Sequence, residues 1–329
     1  MRNFPIIAFI LLLGSLCVTT NSNAQQALSQ DEIYAQRMSY YYEFESPIVP
    51  WYYIAAIDQY ERNIQAVRKD IATREGIISI QFPSHFWSGP LNPSAQDTAP
   101  STIAYFAGNG QDGNNDGVAD PAQDADVLRT LINYLHQAHA TAGTFQAALE
   151  EYYENDQIIN QIHVIAGVYK KYNTVALAER AFPIPVRANY SYKGTWGASR
   201  GWGGRRTHEG TDLFASYGTP VHSTSYGAIE VMGWNDYGGW RIGIRDVNNT
   251  YHYYAHLSSF HPDLAIGDIV GPGTVIGYVG SSGYGKEGTS GKFPPHLHYG
   301  MYKFDGRNEW AFDPFPSLLI WERQAKKGD

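Results

Sequence analysis

The sequence predicts an α+β protein, with a mostly helical first half followed by an antiparallel, β-rich second half. Three observations carry that prediction. Residues 25–180 hold apolar stripes that recur every three or four positions. Residues 181–329 replace them with short β-branched and aromatic runs between glycines, and contain 24 of the chain's 33 glycines. Charge divides at the same place: 9 basic and 19 acidic residues over 25–180, 14 basic and 13 acidic over 181–329, which with Arg2 make the net charge of −8. A chain of 329 residues has room for about two domains with sizeable cores. Its 43% apolar and 17% charged residues exclude global disorder, and its negative balance offers no basic footprint for nucleic acid.

The chain starts Met-Arg-Asn and continues with an apolar run at residues 4–18, interrupted by Pro5, Gly14 and Ser15. A membrane-spanning helix needs about 20 apolar residues, so the run is short for one. With Ser22-Asn23-Ala24 before Gln25, it matches a signal peptide spanning residues 1–24. The alternatives are an uncleaved anchor or a lipoprotein, the second disfavoured because Leu16 precedes Cys17 where a small residue is wanted. Cleavage would remove the only cysteine, so a metal site must use His, Asp or Glu. Export to the wall side of the membrane is expected. The remainder divides into a helical domain, 25–180, and a β-rich domain, 181–329.

In chain order, a helix is expected over 50–76, with Pro50 in its first turn, Gly76 at its end and Ile54, Ile57, Tyr60, Ile64, Val67 and Ile71 on one stripe. A second spans 125–142 through Leu128, Leu131, Ile132 and Leu135, capped by Asp124 or Asp126 and stopped by Gly143. Thr144 is the expected N-cap of a third, without the reciprocal capping box because Ala147 stands three residues on. A fourth stripe runs Ile158, Ile162, Ile165 and Tyr169. The Pro/Gly/Asn-rich stretch 82–121 is too structured in composition for a linker. After Phe182-Pro183-Ile184-Pro185, strands are expected over 221–232, 240–244, 251–256, 270–279 and 297–302.

Potential ligands concentrate in three segments of the second half: His208-Glu-Gly-Thr-Asp212, Tyr254-Ala-His256-Leu257 and Pro294-Pro-His296-Leu-His298. A hydrolytic zinc site takes three protein ligands and leaves one position open. Two imidazoles and one carboxylate leave it a net charge of +1, enough to lower the pKa of bound water. His296 and His298, two apart on a strand, project from one face. His256 supplies another proton-handling imidazole. Each piece alone is weak, since a lone His-x-His is more often a surface or packing feature. Their occurrence together, beside Gly and Pro turns, is not.

These motifs, with Arg206-Thr before the first and Tyr299-Gly300 after the last, resemble the lysostaphin/LytM-type zinc endopeptidases. Pro220-Val221, Gly227-Ala-Ile, Gly238-Gly239, Gly267-Asp268-Ile-Val and Gly280-Ser-Ser-Gly283 follow in that family's order, over about residues 183–318. The resemblance implies an antiparallel sheet crossed by a groove and one zinc held by His208, Asp212 and His298. It further implies that His256 and His296 share the roles of base and transition-state stabiliser, unassigned between them, on the peptide part of peptidoglycan. Both halves in this order resemble the spore-associated endopeptidases of Bacillus-type bacteria, which implies cleavage of L-Ala–D-Glu during cortex maturation. Trp196, Trp202, Trp240, Tyr284 and Tyr299 are candidates to line the groove, or to pack in the sheet. His252 shares strand parity with His256 and is a candidate to flank it, while His136 and His139 read as structural.

In the first half, Ile54-Ala-Ala-Ile-Asp-Gln-Tyr-Glu61 and Ile165-Ala-Gly-Val-Tyr-Lys-Lys-Tyr172 resemble helices of lytic transglycosylases, with Arg62 where those enzymes usually have Ser. Glu61 lies on the apolar stripe, so its pKa should be raised, as suits a general acid; the alternative is an edge residue paired with an Arg. Asp112, Asn114, Asp116 and Asp120, with Gly117 at the sharp turn, match the first half of a calcium loop whose bidentate acid would fall on Gln123. A solvated acidic turn is the alternative. The Gly-x-Gly-x-x-Gly strings at 108–113 and 283–288 lack the strand–helix context of a nucleotide site. A zinc endopeptidase is therefore favoured over a hydrolase that also cuts glycan and over a non-catalytic wall-binding scaffold.

Overall fold

A computed structural model describes residues 28–201 and 205–328. The signal-peptide pattern at 1–24, Cys17 and Trp202 lie outside the described residues. Among those described, no helix is long and apolar enough to cross a membrane.

Among the described residues, seven helices form the first half. Helix α1 (Gln30–Phe44) opens on a capping box in which the Ser29 hydroxyl accepts from Glu32 N and Glu32 accepts from Ser29 N at 2.7 Å. Helix α2 (Trp51–Val67) starts after Pro50 but stops nine residues short of Gly76. Long-range contacts end it: the Arg74 backbone N–H donates to Gln65, the Arg74 guanidinium pairs with Asp124, and Asp124 accepts from Ile77 N at 2.9 Å. The stretch 82–121 contains α3 (Ser84–Ser88) and α4 (Pro100–Tyr105). Helix α5 (Asp124–Ala142) has Gln123 as N-cap rather than Asp124 or Asp126, because Asp124 serves Arg74 and Asp126 holds the acidic loop. Helix α6 (Phe145–Tyr153) is capped by Thr144, whose hydroxyl accepts from Ala147 N, and α7 (Asp156–Tyr172) is capped by Asn155. Ile54, Ile57, Leu128, Leu131, Leu135, Ile162 and Ile165 fill the core between them.

The second half is a sheet of β1 (Tyr190–Tyr192), β4 (Thr211–Ala215), β5 (Pro220–His222), β6 (Gly227–Asn235), β7 (Gly239–Asp246), β8 (Thr250–Phe260), β9 (Ile269–Val270), β10 (Val275–Val279), β11 (His296–Phe304) and β12 (Glu309–Phe312). A separate ribbon pairs β2 (Ser199–Arg200) with β3 (Arg206–Thr207), and α8 (Phe315–Gly328) closes the chain. All pairings are antiparallel, in the order β1-β4-β11-β8-β7-β6-β9, with β10 joining β5 to β8 and β12 on β11. The expected strands 221–232 and 270–279 each divide in two, at 223–226 and at the turn 271–274. One face of β11 and β8 buries Leu297, Tyr299 and Tyr254 in the sheet's core.

The halves pack against each other along β6, β7 and β9. Val247 joins the helical core, Asn63 donates to the Val247 carbonyl at 3.0 Å, and the rings of Tyr172 and Tyr226 meet edge to face at 4.7 Å.

Candidate active site

Strand register places the site. In the β4–β11 pair, His298 stands opposite Asp212 and His296 opposite Phe214, so these four side chains share one face while Leu297 and Leu213 point into the core. His208 comes from the turn after β3, where its N–H donates to Ala198 O and its carbonyl accepts from Gly197 N. Gly210 passes directly under the His298 ring. A Cβ there would lie 2.6 Å from the His298 Cε1 atom, so the glycine of the first motif is required by close approach.

His256 needs a break in the strand to reach this face. On β8, Tyr254 pairs with Tyr299 and His252 with Met301 on the core side, whereas Ala255 pairs with His298 on the site side. Simple alternation would send His256 to the core. Instead the β7–β8 register shifts between Trp240, opposite Leu257, and Ile242, opposite Tyr254, so β8 carries one extra residue. His256 takes a left-handed φ of 63° and donates its N–H to Gly238 O at 2.7 Å. Its ring then meets His296 at 4.8 Å and Phe293 at 4.6 Å. His252 precedes the bulge and faces away. It is buried behind the sheet, bonded to Tyr299 Oη at 2.7 Å and to Asp246 at 3.2 Å, so it does not flank the groove.

Three donor atoms converge. His208 Nε2, Asp212 Oδ1 and His298 Nδ1 form a triangle with sides of 2.9, 3.0 and 3.1 Å. A tetrahedral zinc with bonds of about 2.0–2.1 Å separates its ligand atoms by about 3.3 Å, so the triangle needs little adjustment to accept the ion. The His208 Nδ1–H donates to Thr195 O at 2.8 Å, which leaves the Nε2 lone pair facing the cluster. Burial would raise the Asp212 carboxyl, but hydrogen bonds to His208 and His298 outweigh it and hold the group well below the usual carboxylate range. Among the described residues, these three are the His/Cys/Asp/Glu group able to hold a metal ion.

The cavity above them, about 550 Å³, is lined entirely by second-half residues. Tyr284 is among them; Tyr299 is fully buried behind the sheet and Trp240 packs on the core and Phe260. Sequence reasoning did not single out Arg200, whose guanidinium pairs with Asp212 Oδ2. Nothing in the sequence marks it, because the contact depends on how the β2–β3 ribbon folds back.

A sequence profile described as Peptidase family M23 matches residues 206–314. Over 301 residues the chain is 53% identical to the L-Ala–D-Glu endopeptidase of Bacillus subtilis, spanning 90% of this chain and 92% of that one. The chain belongs to peptidase family M23. The family's zinc site is formed here by His208, Asp212 and His298. This M23 chain is also 37% identical to lysostaphin of Staphylococcus simulans over 113 residues, which are 34% of this chain and 21% of lysostaphin. The solved catalytic domain of lysostaphin aligns with 40% of this chain and 92% of its own, at 33% identity and a TM-score of 0.32.

The first-half candidates fare differently. Glu61 is half-buried, accepts from Tyr153 Oη at 3.0 Å and pairs with no arginine among the described residues. Burial pushes its carboxyl up to about 7 against the Tyr153 bond, with Asp58 adding to the rise. The acidic loop spends its oxygens on its own backbone. Asp112 accepts from Asp116 N and Gly117 N, Asn114 from Asp116 N, Asp116 from Val118 N and Asp120 from Ala122 N. The fully buried Asp126 accepts from Gly113, Asn114 and Asp120, so the loop is a hydrogen-bonded acidic turn and the calcium expectation is not supported. His136 bonds to Ser46 Oγ at 2.8 Å and is structural.

Two outcomes follow from these placements. Gly210→Ala should displace the His298 ring and weaken zinc binding by roughly tenfold or more, read by competition with a chromogenic chelator; unchanged affinity would contradict the packing. For Glu61 the folded-state pKa is raised, so its contribution to stability is complete below about 4.5 and is lost as pH rises through about 7. Denaturant midpoints at pH 5 and 8 should therefore show Glu61→Gln gaining on the wild type at the higher pH, by on the order of 1–3 kcal/mol. Parallel behaviour at both pH values would contradict it.

Proposed function

We propose that the protein is an exported, zinc-dependent peptidoglycan endopeptidase that cuts the L-Ala–D-Glu bond of the stem peptide. The observation that carries this reading is the meeting, in one cavity, of three metal-ligand atoms about 3 Å apart and two further imidazoles in a fixed tautomer. The near full-length likeness to the Bacillus subtilis L-Ala–D-Glu endopeptidase supports the choice of bond.

Zinc held by His208, Asp212 and His298 supplies a Lewis acid for the scissile carbonyl and for water. The chain supplies the proton handling. A backbone carbonyl can only accept, so the bonds from His256 to Ser282 O and from His296 to Pro294 O, both 2.8 Å, put the proton on Nδ1 of each ring. Nε2 of each is left for the cavity. Burial, followed by the neighbouring His296 and His298, pushes His256 well below the usual imidazole value, which keeps the ring uncharged near neutral pH and its Nε2 lone pair open to a proton from water that it can pass to the leaving amine. Burial also lowers His296, but its Nε2 lies 3.7 Å from Asp212 Oδ1, whose charge opposes that fall. Of the two rings His296 is accordingly the more readily protonated at Nε2, and in that imidazolium form it would donate to the developing oxyanion.

A second reading, in which the helical half also cuts glycan in the manner of lytic transglycosylases, is favoured by one observation, the carboxyl of Glu61 raised to about 7. A pure scaffold is disfavoured by the complete ligand set. Digestion of purified peptidoglycan with products read by mass spectrometry separates the three. New D-Glu amino termini should appear with zinc, vanish with chelator or His298→Ala, and fall at least about 100-fold in His256→Ala and His296→Ala that retain zinc. Anhydromuramyl ends that survive chelation and depend on Glu61 would favour the second reading, and no products under any metal condition would leave the scaffold.

A further inference from the structure

The cavity holds a cation that the hydrolytic step does not use. Arg206 lies on β3, two residues before His208, and lines the same cavity as the zinc ligands. Its guanidinium sits over the ring of Tyr237 at 4.7 Å and near that of Tyr284 at 5.7 Å, and Nη2 donates to Tyr284 Oη at 3.4 Å. Its Nε is buried without a hydrogen-bond partner, and among the described residues no carboxylate pairs with it. Arg200, the other cavity arginine, is committed to Asp212. The brace around Arg206 is built at some conformational cost, since Tyr284 adopts a left-handed φ of 58° that side-chain residues rarely hold.

A guanidinium stacked on aromatic faces keeps its planar fork oriented, and the natural complement of that fork is a carboxylate. The proposed substrate carries one. A glutamyl residue acylated by L-Ala has two carboxyl groups, only one of which continues the stem. The other is a free anion a few bonds from the scissile nitrogen unless it is amidated. Resting on the L-Ala–D-Glu reading, we propose that Arg206 binds this free carboxylate and is the residue by which the protein selects D-Glu stems over stems amidated at that position. The chemistry decides the direction of selectivity: an amide in the same place brings an N–H₂ group against a cation that has only donors, leaving a desolvated guanidinium without its counter-charge.

The test uses the zinc-loaded full chain and two synthetic stem peptides that differ only in whether the free D-Glu carboxyl is an acid or an amide. The wild type should favour the acid in kcat/KM by at least about 30-fold. Arg206→Met should bring that ratio to within about threefold of one at unchanged zinc content, chiefly by losing rate on the acid peptide, while Arg206→Lys should keep part of the preference as a point charge. Equal cleavage of both peptides by the wild type, or an Arg206→Met that slows both alike and preserves the ratio, would overturn the assignment and leave the endopeptidase reading standing. If the wild type cuts neither peptide yet opens a different bond in peptidoglycan, the L-Ala–D-Glu reading itself fails and the assignment falls with it.

Discussion

The site is organised around one buried carboxylate. Asp212 Oδ1 lies 3.0 Å from His208 Nε2, 3.1 Å from His298 Nδ1 and 3.7 Å from His296 Nε2, while Oδ2 is taken by Arg200. A desolvated negative charge in this position is tolerable only because cationic or hydrogen-bonding partners surround it, and a divalent ion at the triangle completes that compensation. Much of the architecture serves to bring those partners within reach. The β4–β11 register sets Asp212 beside His298, the β2–β3 ribbon delivers both His208 and Arg200, and Gly210 clears the space the His298 ring occupies.

The second requirement is an imbalance between the faces of β8. Behind the sheet, His252, Tyr254, Tyr299, Thr224 and Asp246 form a buried polar network that Arg180 joins at 3.4 Å from the segment leaving the helical half. In front lie the metal ligands. The bulge at His256 transfers one residue from the rear parity to the front without altering the pairing of the residues before it. The helical half touches the sheet at β6, β7 and β9 and, among the described residues, contributes no side chain to the cavity.

How far the sequence could be read follows from which forces are local. The metal motifs were legible because strand alternation and a tight turn bring residues two and four apart onto one side, as for His296 and His298 and for His208 and Asp212. The same alternation misplaced His252, since the bulge that separates it from His256 arises from pairing with β7 and leaves no local mark. Helices α5, α6 and α7 followed their apolar stripes closely. Helix α2 was read too long because Arg74 and Asp124, fifty residues apart in sequence, end it. Helix α1 was missed although Ser29 and Glu32 spell out its capping box. The acidic loop matched a cation-binding pattern by spacing, yet its carboxylates close Asx turns on their own amides, a competition that spacing alone does not reveal.

The central claim is that one zinc ion is bound by His208, Asp212 and His298 while His256 and His296 remain outside its coordination shell. Anomalous diffraction at the zinc edge from crystals of the metal-loaded protein tests this most directly. The account predicts a single full-occupancy peak ligated by those three side chains, with the fourth position left to solvent. A peak ligated by His256 or His296, or one that lies instead at the acidic loop around Asp112 and Asp116, would contradict it.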